Sequence, residues 1–161
     1  MLSKTTEYAL RAIVYIALQN AKDHRTGIKE IAKELELPTH FMGKILQDLV
    51  RKGVIASMKG PGGGFYLHRQ ASQISVLEVV RTIDGLEAFK KCGMGMKECS
   101  DSHPCPLHNE IKQYREQLLK TFSGKSIQTL VDGINTGRFF ITNLHPESPQ
   151  ETILLMDSPE N

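Results

Sequence analysis

Apolar side chains recur along the first third of the chain at helical spacing. Ala9, Leu10, Ile13, Val14 and Ala17 share one face of a helix predicted over residues 4–19, with Ser3 placed to cap it. After the polar connection 22–26, Ile28, Ile31, Ala32 and Leu35 repeat the pattern over Ile28–Leu35. Leu37-Pro38 breaks it. Pro38 suits the first turn of a third helix, which runs to about Lys52, buries Phe41 or Met42 with Ile45, Leu46 and Leu49, and ends at Gly53. Two short strand candidates follow, Val54–Met58 and Phe65–Leu67, around the glycine-rich turn Lys59-Gly60-Pro61-Gly62-Gly63-Gly64. Ser75 and Glu78 form a capping box for a helix that buries Val76, Val79, Val80 and Ile83 and stops at Asp84-Gly85. Further on, Leu107, Ile111, Tyr114, Leu118 and Phe122 trace the apolar seam of a long helix, and Ser126 opens a last one through Ile127, Leu130, Val131 and Ile134. From about Ile141 the chain turns polar and proline-punctuated, as expected of a mobile tail.

Helix, short helix, tight turn, helix and hairpin is the order of a winged helix-turn-helix, so the expected fold is mainly α with a small β-hairpin. Residues 1–73 form the expected DNA-binding domain, and 138–161 the tail. Between them, 74–137 hold a linker helix, a cysteine-rich loop and a long helix whose seam suits pairing with a second chain. The second helix of such a pair reads the major groove of double-stranded DNA with its N-terminal residues. Thr39, His40, Gly43, Lys44 and Gln47 occupy those positions, and Lys59 with Gly60, Gly62 and Gly63 forms the wing beside the backbone. Charge sharpens this picture. Lys44, Arg51, Lys52, Lys59 and Arg69 stand against Asp48 alone between residues 44 and 69, within a 161-residue chain of net charge +2. A helical hairpin with a solvated basic face and an unrelated glycine turn fits the same pattern.

All 3 cysteines lie in the run Cys92 to His108, with Cys99 and Cys105 between. Three thiols and an imidazole on a loop rich in Gly and Pro are a soft donor set, suited to zinc or an iron–sulfur cluster. An odd cysteine count and an N-terminal segment carrying Glu7 and Arg11, unlike a signal peptide, point to a reducing cytoplasm. No apolar run approaches the ~20 residues that span a bilayer. Pro106 suits the first turn of the long helix, which would set His108 beside Cys105. No nucleophile–base pair or phosphate-binding loop stands out, so an enzyme is not expected; the glycines at 60–64 lack the following Lys-Ser/Thr.

Four segments carry a resemblance: Thr6-Glu-Tyr-Ala-Leu-Arg-Ala12, Ile28-Lys-Glu-Ile-Ala32, Leu49-Val-Arg-Lys-Gly-Val54 and Lys59-Gly-Pro-Gly-Gly-Gly64. With the cysteine loop, they resemble the winged-helix regulators that include IscR and NsrR, over about residues 1–135. The resemblance implies a homodimeric transcription regulator, a C-terminal helix that crosses to its mate, and an iron–sulfur cluster on the cysteine loop. Cys105-x-x-His108 is similar to the IscR pattern, in which the histidine completes a 2Fe–2S site, the favoured form. Glu7 falls where NsrR-like members carry an acidic ligand to a 4Fe–4S cluster across the dimer, so that form stays open. The gap between Cys92 and Cys99 holds six residues, against the usual five. Other readings also stand: structural zinc, free thiols without metal, His108 as a solvated first-turn histidine, Glu7 as an ordinary first-turn acid, and a regulator docking on an enzyme through Ile153–Met156.

Overall fold

The computed structural model describes residues 2–142, so the Ile153–Met156 segment and the tail beyond 142 lie outside the described residues. Helix α1 (Lys4–Asn20) starts where expected, because the Ser3 side chain accepts a hydrogen bond from the Thr6 N–H. Its face of Ala9, Ala12, Ile13, Ile16 and Ala17 is the spine of the molecule. Helices α2 (Ile28–Glu34) and α3 (Thr39–Arg51) pack on it through Ile31, Ala32, Met42, Ile45, Leu46 and Leu49. Between them the chain reverses through Glu36, in the left-handed region at φ 52°. Pro38 caps α3 rather than entering its first turn. Of the two candidates for burial, Met42 is fully enclosed and Phe41 is 52% exposed.

The hairpin pairs β1 (Ala56–Met58) with β2 (Gly64–Tyr66) antiparallel; the first is the expected strand shortened by two residues at its start, the second is shifted by one. Val54 and Ile55 are not strand residues; they are buried in the core. Thr26 adds a third rung: its N–H donates to the Phe65 carbonyl, and Phe65 N–H donates back at 2.8 Å. The wing turn needs glycine for close approach. A Cβ on Gly63 would fall 2.3 Å from the Met58 carbonyl, and one on Gly64 (φ 142°) 2.8 Å from that of Thr26.

Helix α4 (Val76–Ile83) and helix α6 (Ile127–Asn135) begin side by side. Ser75 caps α4 by accepting from Glu78 N–H, and Ser126 caps α6 by accepting from Thr129 N–H. The segments ahead of them are bonded together: Val76 N–H donates to Lys125 O at 2.9 Å and Ile127 N–H to Ile74 O at 2.8 Å. Ile74, Val79, Ile127 and Val131 join the α1 core, so the core of the winged unit extends past residue 73. The chain between α4 and α6 is an excursion: the cysteine loop, then helix α5 (His108–Ser123), which packs on α4. Residues 138–142 fold back rather than trail away. Arg11 donates from Nε to Ile141 O at 2.7 Å and from Nη2 to Leu35 O at 2.6 Å. No helix of the described residues is long and apolar enough to cross a membrane.

If α6 completes the core, Ile127→Ala should lower unfolding stability by about 2–5 kcal/mol, the usual cost of emptying an enclosed aliphatic site. Chemical denaturation at fixed protein concentration checks this, and a loss under 1 kcal/mol would mean that α6 is only loosely attached.

Candidate metal centre and nucleic-acid interface

The cysteine loop folds against α5. Gly93 presses so closely on that helix that a Cβ there would sit 2.8 Å from Ile111 Cγ1. The thiols fall into two pairs. Cys92 and Cys105 are buried with their sulfurs 3.6 Å apart. Cys99 lies 3.3 Å from Nδ1 of His108. All three cysteines are free. Helix α5 opens at His108 with Leu107 as its cap, so Pro106 lies ahead of the helix. The Cys105-to-His108 stretch is therefore a turn, closed by His108 N–H donating to Cys105 O at 2.9 Å. This is why the contact of His108 is with Cys99 and not, as the sequence spacing suggests, with Cys105.

The surroundings favour negative sulfur. Backbone N–H groups of Met94 and Met96 turned onto Cys92 hold its thiol below its ordinary value; burial opposes them, while Cys105 and the Gly95 N–H assist. Arg115 spans the loop, donating from Nη1 to Lys91 O at 2.6 Å and from Nη2 to Cys99 Sγ at 3.1 Å. His108 is only 4% exposed, which excludes the solvated-histidine reading. Its Nε2 lies 2.8 Å from Asp101 Oδ1, and Lys112 Nζ contacts the same carboxylate at 2.8 and 3.0 Å. Hydrogen bonds from Lys112 and then His108 hold the Asp101 carboxyl below the usual carboxylate range. A cavity of about 200 Å³ opens here, lined by Phe89, Cys99, Asp101, His108 and Arg115. His103 is exposed, with its Nδ1 3.1 Å from Ser102 Oγ. Glu7, on the first turn of α1, pairs with Lys4 at 2.7 Å.

Among the described residues, no three or more His, Cys, Asp or Glu side chains are already gathered for a metal ion. The donor chemistry still fits a soft metal: two thiols touching each other and a thiol touching an imidazole, on one loop, with N–H and guanidinium donors on the sulfurs. Holding one group with all four donors requires the two pairs to converge.

Thr39, His40, Lys44 and Gln47 are exposed along α3, with Gly43 half-buried over Ile28. His40 packs on the exposed Phe41 ring, centroids 4.2 Å apart. Lys59, Gly60 and Gly62 are exposed at the wing tip, and Gly63 is half-buried. The basic patch is thinner than its charge count. Arg51 is paired with Asp48, Arg69 with Glu78, and Lys52 donates to Thr82 O. Lys44 and Lys59 make no such contact among the described residues and remain available. Arg25, outside the run from Lys44, adds a cation at the wing that has no acidic partner among the described residues: its guanidinium lies 5.3 Å over the Tyr66 ring and donates to Gly62 O at 3.4 Å. The basic run Lys22-Asp-His-Arg25 before Thr26 was the available signal.

Comparison with known proteins agrees with this layout. The chain is 30% identical over 132 residues to a putative HTH-type transcriptional regulator of Aquifex aeolicus, covering 81% of this chain and 90% of that one. It is 26% identical over 134 residues to the HTH-type regulator NsrR of Oceanobacillus iheyensis, covering 81% and 88%. The solved structure of T. potens IscR superposes with a TM-score of 0.67 at 16% identity, covering 87% of this chain and 92% of that one, which establishes the shared fold. These relatives are named as regulators rather than enzymes. The family described as Rrf2, iron-dependent transcriptional regulator, matches residues 2–133, from the capped start of α1 through the cysteine loop into α6. The chain belongs to the Rrf2 family of winged-helix, DNA-binding transcriptional regulators.

Proposed function

We propose that this regulator is a cytoplasmic homodimer whose operator binding is set by an iron–sulfur cluster held by Cys92, Cys99, Cys105 and His108. The observation that carries the reading is the arrangement of these four donors as two contacting pairs against the start of α5. The iron dependence in the family's description supports it. His108 is preferred to Glu7 as fourth ligand because it already touches a cysteine, whereas Glu7 is paired with Lys4. The 2Fe–2S form goes with the histidine, the 4Fe–4S form with Glu7. When bound, such a cluster would supply electron transfer and reactivity toward oxidants or nitric oxide.

The protein's own part is mechanical. Helix α5 has Tyr114 and its cap residue Leu107 largely exposed and buries fully only His108, the profile of a helix that pairs with a second copy. The cysteine loop joins α5 to α4, and α4 packs on α1 and α3. A change of loop shape would thus alter the spacing between the two α3 helices of a dimer. Operator half-sites about one helical turn apart tolerate little error in that spacing.

Protein purified without oxygen should be brown and contain iron and acid-labile sulfide, and Cys92→Ala, Cys99→Ala and Cys105→Ala should each bleach it. Stoichiometric zinc without sulfide would replace this reading with a structural site. His108→Ala should disturb the visible spectrum more than Glu7→Gln, and the reverse ranking would assign the fourth position to the carboxylate. Sedimentation should give a dimer.

The DNA surface should divide by role. Lys59→Ala should weaken all sequences alike and lower the salt slope by about 1. Arg25→Ala should do the same, since both lie at the wing. Lys44→Ala should cost about 1–3 kcal/mol at one base pair, read by binding-site selection. A selected motif unchanged from the parent would show that Lys44 only positions α3.

A further inference from the structure

Asp101 belongs to none of the ligand sets considered so far, yet it makes the shortest contact to the buried histidine. Resting on the cluster reading above, we propose that Asp101, braced by Lys112, is the positioning residue that fixes the tautomer of His108, so that the histidine serves as a ligand through Nδ1. A neutral imidazole carries one N–H and one lone pair, and an ionised carboxylate can only accept. With Oδ1 of Asp101 at 2.8 Å from Nε2, the ring proton belongs on Nε2, where it is donated to Asp101. The lone pair is then on Nδ1, the nitrogen that lies 3.3 Å from Cys99 Sγ.

The arrangement is held from both ends. His108 is almost wholly buried, so its ring is held by protein partners on both nitrogens. Asp101 itself is exposed, and a free loop carboxylate would not stay in place. Lys112, one helical turn beyond His108 on α5, contacts both of its oxygens at 2.8 and 3.0 Å. The loop between Cys99 and Cys105 is thereby fastened to the helix by the residue that orients the ring. Histidines that bind metals characteristically donate their second nitrogen to a carboxylate or carbonyl, and losing that partner typically costs 10–100-fold in metal affinity.

The test uses the full chain, wild type and the variants Asp101→Ala and Asp101→Asn, with His108→Ala to identify signals. In cluster-free protein, long-range nitrogen–proton correlation spectra should show His108 as the Nε2–H tautomer in wild type and in Asp101→Asn. Asp101→Ala should lose that preference. After anaerobic reconstitution with iron and sulfide, pulsed electron paramagnetic resonance of the reduced protein should detect a strongly coupled nitrogen. Selectively 15N-labelled histidine should assign it to Nδ1. Asp101→Ala should hold the cluster 10–100-fold less tightly in chelator competition. Asp101→Asn, which still accepts from Nε2, should recover most of that loss while its reduction potential shifts with the missing charge. A purely structural role for Asp101 would instead lower the melting temperature of both cluster-free variants and leave the nitrogen coupling unchanged. Coordination through Nε2 in a brown wild type would overturn the proposal, as would an Asp101→Ala protein with wild-type retention and potential; both leave the cluster reading intact. A wild type that takes up no iron and sulfide would remove the cluster reading and this inference together.

Discussion

The fold depends most on the short antiparallel contact between Ile74–Val76 and Lys125–Ile127. Two backbone hydrogen bonds there set the starts of α4 and α6 next to each other, each with its own serine cap. Because both helices then run into the α1 core, the chain can leave the core after Ile83 and return at Ser126 without loosening it. The cysteine loop and α5 are thus tied at both ends to the body that carries α3 and the wing. The loop connects to α4 through residues 84–91, which hold the short helical turn Glu87–Phe89, and α4 touches α3 and α1 directly.

The chemistry of the loop follows from what surrounds its sulfurs. Thiols prefer to stay protonated when buried in apolar surroundings, and metal ligation needs the opposite. Here backbone N–H groups reach Cys92 and hold its thiol below its ordinary value, and the Arg115 guanidinium donates to Cys99 Sγ. The same guanidinium ties Lys91, the neighbour of Cys92, to Cys99, so one planar group reaches the backbone beside one thiol pair and a sulfur of the other. Donors gather on the sulfurs of the loop, whereas Lys44 on α3 and Lys59 on the wing are left exposed.

Local signals made most of the fold legible from sequence. Ser3, Ser75 and Ser126 each cap a helix by accepting from an N–H three residues on, a relation contained within four residues. Helical spacing placed Ile13, Ile31, Ile45 and Leu49 in the core where they lie. What sequence could not supply were relations between distant residues. Arg115 with Cys99, Asp101 with His108, and Arg25 with Tyr66 look like ordinary polar loop or helix residues until the chain is folded. Counting charges overstated the basic surface, since Arg51, Lys52 and Arg69 spend theirs on neighbouring groups. The spacing of Cys105 and His108 suggested a capping geometry, and the turn that precedes α5 directed the histidine to Cys99 instead.

The placement of α6 has a consequence for how the protein is made. Ile127 and Val131 sit in the same core as Ile13 and Leu46, although most of that core is contributed by residues before 80. A chain emerging from the ribosome can form α1, α2 and α3 early, as N-terminal segments generally do. The core those helices share with Ile127 and Val131 is complete only once α6 has emerged, which follows the emergence of Cys92, Cys99 and Cys105. The chain order thus puts the cysteine loop ahead of the last helix that the core receives.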